Sequence, residues 1–239
     1  MLSLVALVVL WKIGSGYANP LVLPAPEIVA ADWWKILWSG DLGRNVGVTL
    51  YRAAISFFIA MALGSAIGLV LGRMPRMNHF FDGWVLLGLN MPALVVGILC
   101  YIWFGLTDLA LILAVVLNKV PLVAITVREG AQAVQPELLQ VGQAFRLSRI
   151  KMLRRVLLPQ MYPYFMASAR SGLALIWKIV LVFELLGRSD GVGFQLAVNF
   201  QLFYVHRVLA YALSFIGVVM LIEAVIIRPM ERRATRWRL

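Results

Sequence analysis

The sequence predicts an all-α integral membrane protein, one transmembrane domain over residues 1–239. About six membrane helices are expected, with a cytoplasmic two-helix insert between the fourth and fifth. Three observations carry this. Hydrophobic residues make up 62% of the chain and charged residues 14%, with a mean hydropathy of +0.87. Soluble domains sit nearer half apolar and a quarter charged. Several apolar runs approach the ~20 residues that a helix rising 1.5 Å per residue needs to cross the hydrocarbon core. The cations gather at the ends of those runs, where Lys and Arg mark the cytoplasmic face. The formal net charge of +11 is therefore a topology signal, and no nucleic-acid partner is expected.

The candidate spans are residues 2–13, 46–71, 84–105, 109–127, 165–186 and 208–227. The first is short and has two readings, a retained span or a signal peptide. A missing basic start and the poor cleavage site Gly16-Tyr17-Ala18-Asn19-Pro20 favour the span. Trp33, Trp34 and Trp38 fit an interfacial anchor before the second span. Gly64, Gly68 and Gly72, four apart, permit close helix contact, either within the chain or as a seam between two copies. Pro92 and Pro121 are expected to interrupt the third and fourth spans.

Orientation follows from the short loops. Arg73 and Arg76 follow the second span. Arg128, Arg146, Arg149, Lys151, Arg154 and Arg155 fill the insert against only Glu129 and Glu137. Arg228, Arg232, Arg233, Arg236 and Arg238 end the chain. The opposite loops are poorer in cations: Lys35 and Arg44 face Glu27, Asp32 and Asp41, the next turn has Asp108, and the last has Arg188 and Arg207 with Asp190. If every segment crosses once, the three basic regions share one side and both termini are cytoplasmic.

The insert spans residues 128–163. Leu138, Val141, Gly142 and Phe145 fall at helical spacing and form one apolar stripe. Arg146-Leu147-Ser148 interrupts it, with Ser148 a candidate N-cap for a second helix bearing Ile150, Leu153, Val156 and Leu157. Pro159 is expected to close that helix and Pro163 to open the fifth span. Two readings stand: a lever docking a cytosolic partner, or a solvated loop whose charges fix topology.

Ionisable groups inside a span cost about 3 kcal/mol on insertion scales, so they default to functional candidates. Lys119 and Lys178 lie near the middle of the fourth and fifth spans, with Glu184 and Glu223 toward span ends. Lys119 or Lys178 is a candidate for lining a path that favours an anion, with Asn90 and Asn118 supplying neutral hydrogen bonds. The alternative is that Lys119 pairs with Glu184 across helices. Lys178 and Glu184, six apart, lie on different helix faces.

Several chemistries are not expected. Gly14-Ser15-Gly16 lacks the Gly-Lys-Ser/Thr ending of a phosphate loop, so this chain is not expected to hydrolyse ATP. Cys100 is the single cysteine, and His79 and His206 are isolated, so neither a disulfide framework nor a metal or other cofactor is expected. No paired carboxylates or Ser/His set at a span end points to an enzyme.

The insert resembles the cytoplasmic loop of ABC importer permeases. Their pattern is Glu-Ala-Ala, three residues, Gly, nine residues, Ile-x-Leu-Pro. The same spacing here reads Gln140-Val141-Gly142, Arg146, then Val156-Leu157-Leu158-Pro159, with Gln140 for Glu and Arg146 for Gly as departures. Further motifs are similar to the nitrate/sulfonate/taurine branch. Leu23-Pro24-Ala25-Pro26 resembles its Pro-Ser-Pro, and the run from Gly43 to Arg52 its His-x-x-x-Thr-Leu-x-Arg. Asn90-Met91-Pro92-Ala93-Leu94 with Trp103-Phe104-Gly105 resembles Ile-Pro-x-Leu-Ala and Trp-Phe-Gly. Glu184 with Gly191-Val192-Gly193 resembles the late Glu and Gly-Leu-Gly.

The resemblance implies a multi-pass protein of the bacterial inner membrane that forms a pore with a second copy or a related permease. Two cytosolic ATPase subunits lie below and a periplasmic or surface solute-binding protein above. It implies that Leu138, Gln140, Val141, Gly142, Phe145, Arg146, Leu153, Val156, Leu158 and Pro159 form the ATPase-coupling surface. The solute would be a small anion or zwitterion of the nitrate, sulfonate, taurine or bicarbonate type. The alternative is a secondary carrier or channel without ATPases, a class that often shows internal repeats; none is evident here.

Overall fold

Residues 2–229 are described by the computed structural model, and among them every regular element is helical. The expectations placed on Arg232, Arg233, Arg236 and Arg238 lie outside the described residues. The helices are α1 (Leu2–Tyr17), α2 (Pro26–Trp38), α3 (Asp41–Arg73), α4 (Pro75–Asn90), α5 (Ala93–Phe104), α6 (Asp108–Gln132), α7 (Pro136–Ala144), α8 (Arg149–Met152), α9 (Leu158–Gly187), α10 (Val192–Gln201) and α11 (Val205–Ile222). Proline opens α2, α4 and α7, where its missing N–H has no intrahelical partner to lose. The Thr107 hydroxyl caps α6 by accepting the Ala110 N–H at 3.2 Å.

Among the described residues, three helices are long and apolar enough to cross a bilayer: Asp41–Arg73, Asp108–Gln132 and Val205–Ile227. The bent pair α4–α5 brings the number to four if it is one broken span. The interruption expected at Pro92 is present, and it is sharp: α4 and α5 meet at 93°, so residues 84–105 are not one straight helix. Met91 and Pro92 both take extended backbone there, and a residue preceding proline is driven out of the helical region. Pro121 does the opposite of what its residue type suggests. It lies inside an unbroken α6, against α4, where a Cβ on Gly88 would sit 2.7 Å from its ring. α1 has only 16 residues. α9 has 30, but carries Arg170, Lys178 and Glu184.

The core is the seam between α3 and α6. Cβ atoms built on Gly64, Gly68 and Gly72 would each come to 2.5 Å of an α6 atom, from Val123, Ala124 and Ala131 respectively. The glycine stripe therefore serves packing within the chain, one of its two expected uses. A buried cluster including Val96, Leu111, Val115, Ile176, Val180 and Phe183 fills the end away from the insert. A smaller one around Val127, Ala131, Val134 and Met161 fills the insert end. α2 is tied down where the Trp33 indole N–H donates to Ser214 Oγ on α11 at 2.7 Å. Trp34 and Trp38 stay exposed, consistent with an interfacial anchor.

The insert forms two helical pieces with a change at its second half. α7 covers the first predicted stripe up to Gly142, with Phe145 as its C-cap. The second piece, α8, runs through a π-helical stretch, Leu153–Leu157, straight into α9. Pro159 therefore does not close a helix. It is the second residue of α9, which follows the π-helical stretch directly, and Pro163 is likewise inside α9. The elbow is thus helically continuous with a membrane-length helix.

A buried ionic knot and an exposed elbow as the candidate functional site

Asn45, Thr49 and Arg52 fall at positions i, i+4 and i+7 of α3, so they share one helix face. That face meets the last turn of α9 and the loop after it. Arg52 is fully buried, at 0% exposure, and each nitrogen of its guanidinium has an acceptor. Nε donates to Asp108 Oδ1 at 2.7 Å. Nη1 donates to Glu184 Oε1 at 2.8 Å and to the Asp190 carbonyl at 3.0 Å, and Nη2 pairs with the Asp190 carboxylate. Arg188 joins from the rim, 3.2 Å from Asp108 and bonded to the Leu106 carbonyl.

Glu184 is equally buried and equally satisfied. Besides Arg52 it accepts from the Thr49 hydroxyl at 2.8 Å and from the Gly193 N–H at 2.9 Å. Thr49 Oγ1 accepts from Val192 N–H and Asn45 Oδ1 from Gly191 N–H, both at 2.9 Å. The loop is thereby stitched to α3 by side chains alone. Its glycines are required: Gly191 has φ +98°, with a Cβ there 2.4 Å from Glu184 Oε1, and a Cβ on Gly193 would sit 2.2 Å from the Leu181 carbonyl. A buried ion pair is tolerable only when its remaining donors and acceptors are met, and here they are. Three carboxylates and two guanidiniums join α3, the start of α6, the end of α9 and the α9–α10 loop.

The sequence-predicted path residues are scattered by comparison. Lys119 is buried in α6, and its alternative pairing with Glu184 is not formed, because Glu184 pairs with Arg52. Asn118 is half-buried. Asn90 is exposed at the end of α4 and donates to the Leu86 carbonyl. Lys178 is exposed on α9 in a groove against α11. Sequence reading missed Arg52, Asp108 and Asp190 as a unit. The signal was present: Arg52 lies well inside an apolar run, and an intramembrane charge asks for a partner.

At the opposite end of α9 the elbow shows the reverse chemistry. Phe145 is 77% exposed and Ile150 65%, with Leu138, Val141, Leu153 and Leu158 also open and Gln140 and Pro159 beside them; Val156 is half-buried. Gly142 is the buried member of the stripe, and its missing side chain makes room for Met152, whose Cε would lie 2.6 Å from a Cβ there. Arg146 adopts φ +49°, the left-handed conformation for which glycine is suited. Its N–H donates to the Gln143 carbonyl at 2.8 Å and the Leu147 N–H to Gly142 at 3.0 Å, a Schellman-type helix stop. The turn between α7 and α8 is therefore kept despite the departure from glycine. Holding a residue with a Cβ there costs about 1–2 kcal/mol locally.

Comparison with known proteins bears on both regions. Residues 60–228 match the family model described as binding-protein-dependent transport system inner membrane component. The chain is 27% identical over 234 residues to a putative aliphatic sulfonates transport permease of Bacillus subtilis (strain 168), covering 97% of this chain and 84% of that one. It is 26% identical over 239 residues to a taurine transport system permease of Escherichia coli (strain K12), covering 98% and 86%. Among solved structures, a chain of an inward-facing MetNI methionine ABC transporter shares the fold. The TM-score is 0.69 at 18% identity, over 84% of this chain and 99% of that one.

Proposed function

The chain belongs to the binding-protein-dependent transport system inner membrane components, as an ABC transporter permease. On that premise we propose that it forms the translocation path of an ATP-driven importer and is moved by cytosolic ATPase subunits that grip its elbow. The observation that carries the coupling reading is the exposed apolar face of Leu138, Val141, Phe145, Ile150 and Leu153. It sits on a basic segment that continues helically into α9. An apolar stripe on a helix pair rimmed by cations is a surface awaiting a partner. Helical continuity would carry a shift of that surface into the membrane. Gln140, Gly142, Arg146, Val156, Leu158 and Pro159 shape the same joint.

In this reading the pore is completed by a second copy or a related permease, and a solute-binding protein delivers the solute. The insert and the C-terminus are cytoplasmic in this reading, in keeping with the cations gathered in residues 128–155 and at the end of the chain. The solute is a small anion or zwitterion of the sulfonate or taurine type, in keeping with the cations Lys119 and Lys178 and the names of the similar permeases. Asn90 and Asn118 supply neutral contacts. Glu184, committed to Arg52, supports the wall of the path.

The test is uptake by proteoliposomes holding the whole complex. Uptake should require ATP and the binding protein and fail in Leu153→Asp. Solute movement that persists at full rate without nucleotide would replace this reading with an ATP-independent carrier.

A further inference from the structure

Two hollows adjoin at the end of α3 nearest the insert, and Leu71 lines both. One, of about 440 Å³, is polar, with Asn78, His79, Asp82, Arg128 and Gln132 on its walls. The other, of about 490 Å³, is a groove of Ile67, Val70, Met77, Phe81, Trp84 and Pro121 with no ionisable side chain in its lining. α4 serves both through two of its faces. Asn78 and Asp82 are four residues apart, and Met77, Phe81 and Trp84 repeat at helical spacing along about 10 Å of rise. Arg73 and Arg76 flank the turn into α4, and cations so placed mark where a span leaves the hydrocarbon. An amphiphile with its head in the polar hollow and a chain in the groove would therefore lie as a bilayer lipid lies.

The polar hollow offers a donor edge and an acceptor side by side. Arg128 Nη1 donates to Asn78 Oδ1 at 2.9 Å and to Asp82 Oδ1 at 2.5 Å, whereas its Nε and Nη2 have no acceptor among the described residues. Asp82 Oδ2 has no donor among them either. A guanidinium with unused N–H groups suits a phosphodiester, and a carboxylate oxygen next to it suits an ammonium. We propose that the two hollows form one phospholipid site selective for a phosphoethanolamine headgroup. Its phosphate lies on Arg128, its primary ammonium on Asp82, and one acyl chain runs along Met77, Phe81 and Trp84. A quaternary choline has no N–H to give Asp82, and a glycerol headgroup brings no cation. Neither the solute path nor the ATPase enters this assignment, so it goes beyond the importer reading and is tested separately from it.

The whole complex, exchanged in detergent until free of co-purifying phospholipid, is titrated with palmitoyl-oleoyl phosphatidylethanolamine, and bound lipid is counted by native mass spectrometry. One tight lipid per copy of this chain is expected, held at least tenfold more strongly than phosphatidylcholine or phosphatidylglycerol with the same acyl chains. Ala66→Trp, which fills the groove from its exposed rim, should weaken binding at least tenfold, and Arg128→Gln should do the same. Asp82→Asn should reduce the preference over phosphatidylcholine to less than about threefold. Equal affinity for the three lipids overturns the headgroup assignment, as does a preference that survives Asp82→Asn. Binding unchanged in Ala66→Trp overturns the site, and that residue lines only the groove, so the result holds even if Arg128→Gln fails to assemble. Glycerophosphoethanolamine, a head without chains, should not displace the lipid at about a hundredfold excess. Displacement by it would assign the polar hollow to a soluble phosphate ester and overturn the proposal. No ATP or transported solute is present, so failure here leaves coupling through the elbow untouched.

Discussion

The two ends of α9 solve opposite problems. At one end Glu184 and Arg52 are completely withdrawn from solvent, and their polar atoms are satisfied within the chain. At the other, Phe145 and Ile150 show apolar surface that none of the described residues covers. Buried charge is held by side chains that leave it no alternative, so the knot is built to stay. Exposed apolar surface gains free energy only when something arrives, so the elbow is built to be met. One helix thus has a fixed end and an end available to a partner, which is the arrangement a lever needs.

That contrast can be broken first at the knot. Arg52→Met leaves Glu184 buried without its cation and should cost about 3–5 kcal/mol, read as a large loss of thermal stability in detergent. Adding Glu184→Leu should recover much of that loss, since an apolar replacement of a whole buried pair is often near neutral. If the double variant is no better than the single one, Asp108 and Asp190 dominate the partnership and the pairwise account fails.

The next effect belongs to the elbow and should have the opposite signature. Phe145→Ala is expected to weaken ATPase association by about 2 kcal/mol, roughly thirtyfold, as an exposed aromatic anchor does. The melting temperature of the isolated permease should hardly move. A variant that lost stability instead would mean that Phe145 is covered within the permease.

The seam between α3 and α6 supplies an intermediate case. Gly68→Val forces a side chain against the Ala124 carbonyl, and overpacking of this kind costs about 1–3 kcal/mol. It should lower stability without selective loss of ATPase binding.

Smallest of all, Arg146→Gly should stabilise the turn by about 1 kcal/mol, because a left-handed position is relieved. Hydrogen exchange at Leu147, whose N–H bonds Gly142, would register the gain. Faster exchange there would show that the arginine side chain holds the turn in some other way.

How much of this was written in the sequence varies with the kind of interaction. The stripe Leu138, Val141, Gly142 and Phe145 was readable, because helical periodicity is local, and α7 follows it. The π-helical passage into α9 was not. Pro159 looks like a stop until the helix before it is known to supply a first turn. Pro92 was visible as a breaker, but the 93° angle depends on what α4 and α5 pack against. The knot is the clearest loss. Thr49, Arg52, Glu184 and Gly191-Val192-Gly193 were each recognisable as letters of two motifs more than 130 residues apart. Only the fold brings them within hydrogen-bonding distance. Lys119 stood out equally in the sequence, yet its tempting partner Glu184 was already taken.

Site-directed cross-linking tests the central claim most directly. Cys100 is the single native cysteine and is buried, so Cys100→Ser provides a clean background for one new thiol at a time. With the assembled complex, Phe145→Cys should form an adduct with the nucleotide-hydrolysing subunit. Phe203→Cys, equally exposed at the far end of α9 beyond α10, should form none with it. Adducts of equal yield from the two positions, or none from position 145 in a complex that still imports solute with ATP, would contradict the account.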